Sequence, residues 1–289
     1  MADWVLGVLG GSGVYDIDGL ERVERRRLEG PWGPPSDELL CGEIEGVRLV
    51  FLPRHGRGHR LSPTGVNARA NIDALKRAGC TDVLSLSAVG SLREDLAPGT
   101  FVVVDQFIDR TFAREKSFFG DGLVAHVSLA DPVCPRLSAL AAEAARGAGA
   151  PVVGGGTYLV MEGPQFSTRA ESELYRSWGC AVIGMTNMPE AKLAREAELP
   201  YASICMVTDY DCWRDDHENV EVGHILEVLR ANAAKARETV LRLARSLKGP
   251  RAPSPIDRAL DHALITAPEA RDPALVAKLD AVAGRVLKV

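Results

Sequence analysis

Five short apolar runs, each closing on glycine or polar residues, limit what this chain can fold into: residues 5–9, 47–52, 83–88, 101–104 and 201–207. Runs of this length, rich in Val, Leu and Ile, read as strands buried on both faces. Helical stretches separate them at 67–77, with an Ala70, Ala74 and Ala78 stripe, and at 137–148, 169–178 and 189–196. Residues 157–161 and 181–183 read as further extended segments. Strands alternating with helices predict an α/β fold whose ligands gather beyond the strand ends.

Residues 218–247 support one long helix, with Val220, Val222 and Ile225 in its first turns. Three prolines and a glycine within 248–255 stop it. Residues 256–289 then offer one or two amphipathic helices through Leu260, Leu264, Leu275, Leu279 and Val282, expected to pack on the core or on a neighbour. The expected organisation is a catalytic domain over 1–247 and a proline-containing linker with a helical extension over 248–289.

A formal net charge of -5 supplies no basic field for nucleic acid. The one arginine triplet, Arg25 to Arg27, is flanked by Glu24 and Glu29 and reads as a solvated face. Six cysteines without a CxxC pair read as reduced thiols. The first ten residues resemble neither a signal peptide nor a membrane anchor, so a cytoplasmic location without membrane association is expected.

The first run ends in Gly10-Gly11-Ser12-Gly13, a loop whose backbone can approach an anion. It lacks the Lys of a phosphate loop and is not GxGxxG, which argues against a dinucleotide. Residues 53–60, PRHGRGHR, are the densest run of anion donors. Ser12, Arg54, His55 and Ser87 together could hold phosphate; taken singly, Ser12 also reads as a turn hydroxyl and Arg54 as a solvated loop cation. Ser87 lies outside a GxSxG elbow and serves better as a donor than as a nucleophile. His55, His59, His126, His217 and His224 form no metal pattern, and His59 reads as structural.

Residues 162–166, EGPQF, make a rigid turn from which Phe166 either stacks on a flat base or fills the core. Met185 either lies against a sugar or packs as filler. Asp209 and Asp211 follow the last strand, and side chains two apart on an extended segment point the same way. One can be an acid and the other a hydrogen-bonding partner, with Tyr210, Cys212 and Trp213 as the apolar surrounding that keeps a carboxyl protonated. Asp209 could equally cap a turn through its own backbone.

Taken in order, Gly10-Gly11-Ser12-Gly13, Arg54-His55-Gly56-Arg57, Ser91-Leu92-Arg93-Glu94, residues 105–111 (DQFIDRT), 162–167 (EGPQFS) and 208–213 (TDYDCW) resemble the 5'-methylthioadenosine phosphorylases of the trimeric purine nucleoside phosphorylase family, over residues 5–247. The resemblance implies a single-domain nucleoside phosphorylase-like fold, a central mixed β-sheet flanked by helices. It implies reversible phosphorolysis of 5'-methylthioadenosine to adenine and 5-methylthioribose 1-phosphate, with inorganic phosphate as co-substrate and no cofactor or metal. Ser12, Arg54, His55, Ser87, Ala88 and Thr186 match its phosphate-binding positions, with Ser12 and Ser87 standing where members commonly carry Thr. Phe166 matches a base contact and Met185 a ribose contact. Asp209 falls at N7 of the base and Asp211 near the exocyclic amine; an Asp where 6-oxopurine members usually carry Asn implies a 6-aminopurine. Val222, Ile225 and Leu226 match the wall around the 5'-substituent. His126 matches a contribution to a neighbour's pocket, implying a homotrimer with active sites at its interfaces.

Three rivals share parts of this pattern. A methylthioadenosine hydrolase would not need the anion donors, a broader purine nucleoside phosphorylase would accept inosine, and a non-catalytic nucleotide-binding module would show no turnover.

Overall fold

The computed structural model describes residues 3–11, 13–14, 18–214 and 222–288, without the side chains of 222–227 and 229. The chain runs β1 (Val5–Gly10), β2 (Glu21–Arg26), β3 (Leu39–Ile44), β4 (Val47–Pro53), α1 (Ala68–Arg77), β5 (Asp82–Ser91), β6 (Phe101–Val103) and β7 (Gln106–Arg110). It continues through α2 (Pro135–Gly147), β8 (Val152–Gly154), β9 (Thr157–Met161), α3 (Arg169–Ser177), β10 (Val182–Gly184), α4 (Asn187–Glu196), β11 (Tyr201–Asp209), α5 (Val222–Ser246), α6 (Pro273–Lys278) and α7 (Asp280–Leu287). All the strands join one mixed sheet. At its centre β4, β1, β5 and β11 are mutually parallel, while β3 runs against β4 and β10 against β5.

Period-two alternation sends the side chains of β1 to two separate cores. On one side Val5 and Leu9 pack with Ile72 and Leu75 of α1 and Leu193 of α4; on the other Leu6 and Val8 pack with Leu137 of α2 and Val240 and Leu243 of α5. Burial on both faces explains why β1, β5 and β11 read as unbroken apolar runs. The arginine triplet falls at the end of β2, an exposed strand whose Arg26 pairs with Glu24 at 3.7 Å. A charged edge of this kind resists pairing with other chains.

The C-terminal extension belongs to the first core, where Leu260, Leu279 and Val282 are buried beside α1 and α4. Arg251 fastens it by bonding both the fully buried Asp82 at the start of β5 and Asp257, the latter at 2.6 Å. Arg136 of α2 reaches the same Asp82 carboxylate. Without Arg251, the fully buried Asp82 keeps Arg136 while Asp257 loses its cation, and breaking a buried ion pair from one side is costly. Arg251→Ala is therefore expected to cost about 3 kcal/mol, read as a lowered urea midpoint at unchanged slope.

Candidate active site

Because β1, β4, β5 and β11 are parallel, Gly10, Pro53, the end of β5 and Asp209 all arrive at one sheet edge. The sheet has an opening there. β1 pairs with β5 only as far as Ser85, and β10 joins the same side of β5 at Gly90. Residues 86–89 of β5 therefore have no strand beside them on that side. Val83 donates its N–H toward β11, so by alternation Leu86 and Ala88 direct their backbone groups into the opening. The Leu86 carbonyl accepts from Arg54 Nη1 at 3.0 Å, and Ala88 is the one exposed residue of a strand otherwise buried or nearly so.

Arg54 is not a solvated loop cation. It is 2 % exposed and its fork grips Glu190: Nη2 reaches Oε2 at 3.1 Å and Nε bonds Oε1. Nη2 also donates to Ser85 Oγ at 2.6 Å and to the Leu9 carbonyl at 3.4 Å. With five N–H groups in all, one Nη1 hydrogen remains for a ligand, together with the charge. Glu190, which the sequence reading assigned no role, orients this guanidinium.

His55 is buried with Nδ1 2.9 Å from the Leu61 carbonyl. A carbonyl only accepts, so Nδ1 donates and Nε2 is the acceptor of the neutral ring. Burial, with the neighbouring Arg54 charge second, lowers the imidazole to about 4. His59 stacks on it, ring centroids 4.2 Å apart, in keeping with a structural role.

Ser87 Oγ lies 2.9 Å from Thr186 Oγ1 and donates to Asn187 Oδ1 at 2.7 Å. Buried Asn187 thus sets two hydroxyls, from β5 and from the start of α4, side by side. Arg54, His55, Arg114, Thr186 and Glu190 are among the residues around a small cavity at this place. Ser12 lies outside the described residues, but its loop is tied in through the Arg54 N–H to Gly10 carbonyl bond of 3.0 Å.

At the other end of the edge, the ladder between β5 and β11 shifts register after Val207, bulging the strand at Thr208. A bulge re-aims the residues beside it. Asp209 Oδ2 accepts from the Thr208 hydroxyl at 2.7 Å and Oδ1 from the Asp211 N–H at 2.8 Å. Asp211 has φ 53°, in the left-handed region. The two acids therefore do not share a face by strand alternation, as their spacing suggested; a turn capped by Asp209 brings them together. Both crowd Gly90, where an added Cβ would lie 3.0 Å from Asp209 Oδ1 and 3.4 Å from Asp211 Cβ.

Asp211 is buried, and its Oδ2 has no partner among the described residues. Burial pushes its carboxyl up; the Ser172 hydroxyl opposes the rise and the charge of Asp209 adds to it. Trp213 is buried with Leu92 and Ile183, anchored by Nε1 to the Ser91 carbonyl at 2.8 Å, and the Arg176 guanidinium lies 3.5 Å over its ring.

Phe166 is 50 % exposed, not core, at the end of the turn that follows β9. Met185 packs against that turn at Gly163. His126 is exposed, its N–H on the Ala263 carbonyl at 2.9 Å, and it does not line the cavity of its own chain. Val222, Ile225 and Leu226 occupy the first turns of α5, and their side chains lie outside the described residues.

Arg114 borders the cavity and pairs with Glu162 at 2.9 Å. Burial alone would raise the Glu162 carboxyl; bonds from the Thr64 hydroxyl, the Phe112 and Ala113 N–H groups and Arg114 outweigh it and hold it at about 2. A carboxyl held below its unfolded value near 4.3 adds stability that is complete above that pH and is lost as pH falls toward 2. Glu162→Gln should therefore flatten the acid limb of stability against pH, measured as urea midpoints of variant and wild type between those limits. Among the described residues no group of three or more His, Cys, Asp or Glu is placed to hold a metal ion.

A family model described as the Phosphorylase superfamily matches residues 5–247. The chain is 66 % identical over 286 residues to an S-methyl-5'-thioadenosine phosphorylase of Cereibacter sphaeroides, covering 98 % of this chain and 99 % of the relative. It is 61 % identical over 290 residues to one of Bradyrhizobium diazoefficiens, covering 100 % of each. Among solved structures, a methylthioadenosine phosphorylase sourced from an antarctic soil metagenomic library superimposes with a TM-score of 0.92 at 43 % identity, over 98 % of this chain and 99 % of the other. The methylthioadenosine phosphorylase from Schistosoma mansoni in complex with adenine does so with a TM-score of 0.81 at 38 % identity, over 86 % and 93 %.

Proposed function

The chain belongs to the phosphorylase superfamily, and from that premise we propose that it catalyses the reversible phosphorolysis of 5'-methylthioadenosine to adenine and 5-methylthioribose 1-phosphate. In class it is a pentosyltransferase with inorganic phosphate as acceptor. The observation that carries this reading is the placement, on one sheet edge, of a donor-lined opening beside β5 and a carboxylate pair at the end of β11.

Phosphate occupies the opening, held by the Ala88 N–H, the Ser87 and Thr186 hydroxyls, Ser12 and the charge of Arg54. Neutral His55 turns an acceptor toward it, matched to a protonated phosphate oxygen. The base lies at the carboxylates with Phe166 and Met185 beside base and ribose, and Val222, Ile225 and Leu226 enclose the methylthio group. As the glycosidic bond breaks, its electron pair passes to adenine and positive charge grows on the sugar carbon. In this reading Asp209 acts as the general acid, its O–H proton passing to N7. A phosphate oxygen forms the new bond to the sugar carbon from the opposite face, its charge stabilising that carbon beforehand.

The protein acts, in this reading, as a homotrimer, with His126 of one protomer entering a neighbour's pocket; Phe112, 82 % exposed beside the site, offers apolar surface to such an interface. We place it in the cytoplasm, which suits six free cysteines. The test compares kcat/KM for 5'-methylthioadenosine and inosine at saturating phosphate. A preference of at least roughly 100-fold for the former is expected, because a buried carboxylate left without the exocyclic amine is costly. Equal use of inosine would contradict the base assignment.

A further inference from the structure

Arg114 lies in a loop after β7, its side chain 5 % exposed and bordering the cavity. Its donors go to two segments far apart in sequence. Nε bonds Glu162 Oε1 at 2.9 Å, and Nη2 bonds the Glu162 carbonyl at 2.6 Å and the Met161 carbonyl at 3.4 Å. Nη1 bonds the Met185 carbonyl at 2.6 Å and the Met188 carbonyl at 2.8 Å. The first segment is the turn that carries Phe166; the second carries Met185 and Thr186. All five N–H groups of the guanidinium are thereby used.

Given phosphorolysis at this site, we propose that Arg114 is a positioning residue that fixes the distance between the base-holding turn and the sugar- and phosphate-holding turn. It acts through other residues, since none of its N–H groups is left for an anion. The loop bearing it is itself pinned. Asp109 Oδ1 accepts from the Thr111 N–H at 2.9 Å, Glu162 Oε2 from the Phe112 N–H at 2.6 Å, and Glu196 Oε2 from the Phe118 N–H at 2.7 Å. A planar fork spans two turns at once, whereas a lysine ammonium has three donors at one point and cannot. Loss of the span lets base and phosphate sites drift apart, and a displacement of about 1 Å between reacting groups costs on the order of 100-fold in rate.

Steady-state kinetics of Arg114→Lys and Arg114→Ala, beside wild type, test this. Both variants should lose roughly 100-fold in kcat with both substrate KM values raised, and guanidinium ion added to Arg114→Ala should restore activity by about tenfold. A folded Arg114→Lys protein with kcat within about twofold of wild type would overturn the proposal, as would a rise confined to the phosphate KM, which marks a direct anion ligand. If neither variant folds, Glu162→Gln takes their place: it keeps the Arg114 bonds to backbone carbonyls but removes the carboxylate charge that Nε faces. An unchanged kcat there overturns the proposal, and a fall of about tenfold supports it. Wild type without phosphate-dependent turnover contradicts phosphorolysis itself, whereas an active wild type beside an unaffected variant contradicts the Arg114 role alone.

Discussion

Asp209→Asn is expected to lower kcat for adenine release by roughly 100- to 10,000-fold, the range of a removed general acid, with little change in phosphate affinity. Asn fits the same space and can still accept the Asp211 N–H that Asp209 Oδ1 accepts at 2.8 Å. It has no proton to give at N7. Kinetics with 5'-methylthioadenosine and calorimetric titration with phosphate separate the two effects. Normal turnover in the variant would remove Asp209 from the acid role.

Arg54→Ala carries the second large effect, and it falls on folding and function together. The substitution strands Glu190, whose side chain is 1 % exposed, without its cation. Breaking a buried pair from one side costs about 3–5 kcal/mol, which would appear as a lower urea midpoint. Phosphate loses the guanidinium that bonds the Leu86 carbonyl at the opening, so its KM should rise by at least about tenfold. Replacing both partners, Arg54→Met with Glu190→Leu, distinguishes the two consequences: a well-packed apolar pair recovers stability but not phosphate use. An unchanged phosphate KM in either protein would take Arg54 out of the anion site.

Strands buried on both faces were legible from sequence because burial writes itself as a continuous apolar run; β9 falls on its expected bounds and β1 and β4 run one residue further. β2 gave no such signal, since its side chains are almost all charged and exposed. β7 was hidden for a related reason: its residues lie half out of the core and the run DQFIDR reads as polar. The acid pair was legible as composition but not as geometry, because a bulge at Thr208 and the left-handed backbone of Asp211 leave no mark in a two-residue spacing. The supports of the site were least legible. Glu190 meets Arg54 across 136 residues and Arg114 meets Met185 across 71; nothing local predicts such a pairing. The one available signal was chemical: an arginine beside an apolar strand end implies a buried counter-ion somewhere in the chain.

The central claim, that the opening beside β5 holds the phosphate that attacks the sugar, is tested most directly by following ³¹P resonances while purified protein acts on 5'-methylthioadenosine. Phosphorolysis predicts that inorganic phosphate is consumed in step with adenine release and reappears as a sugar 1-phosphate, with no adenine formed when phosphate is withheld. Adenine released at full rate without phosphate, beside an unchanged phosphate signal, would make the reaction a hydrolysis and contradict the account.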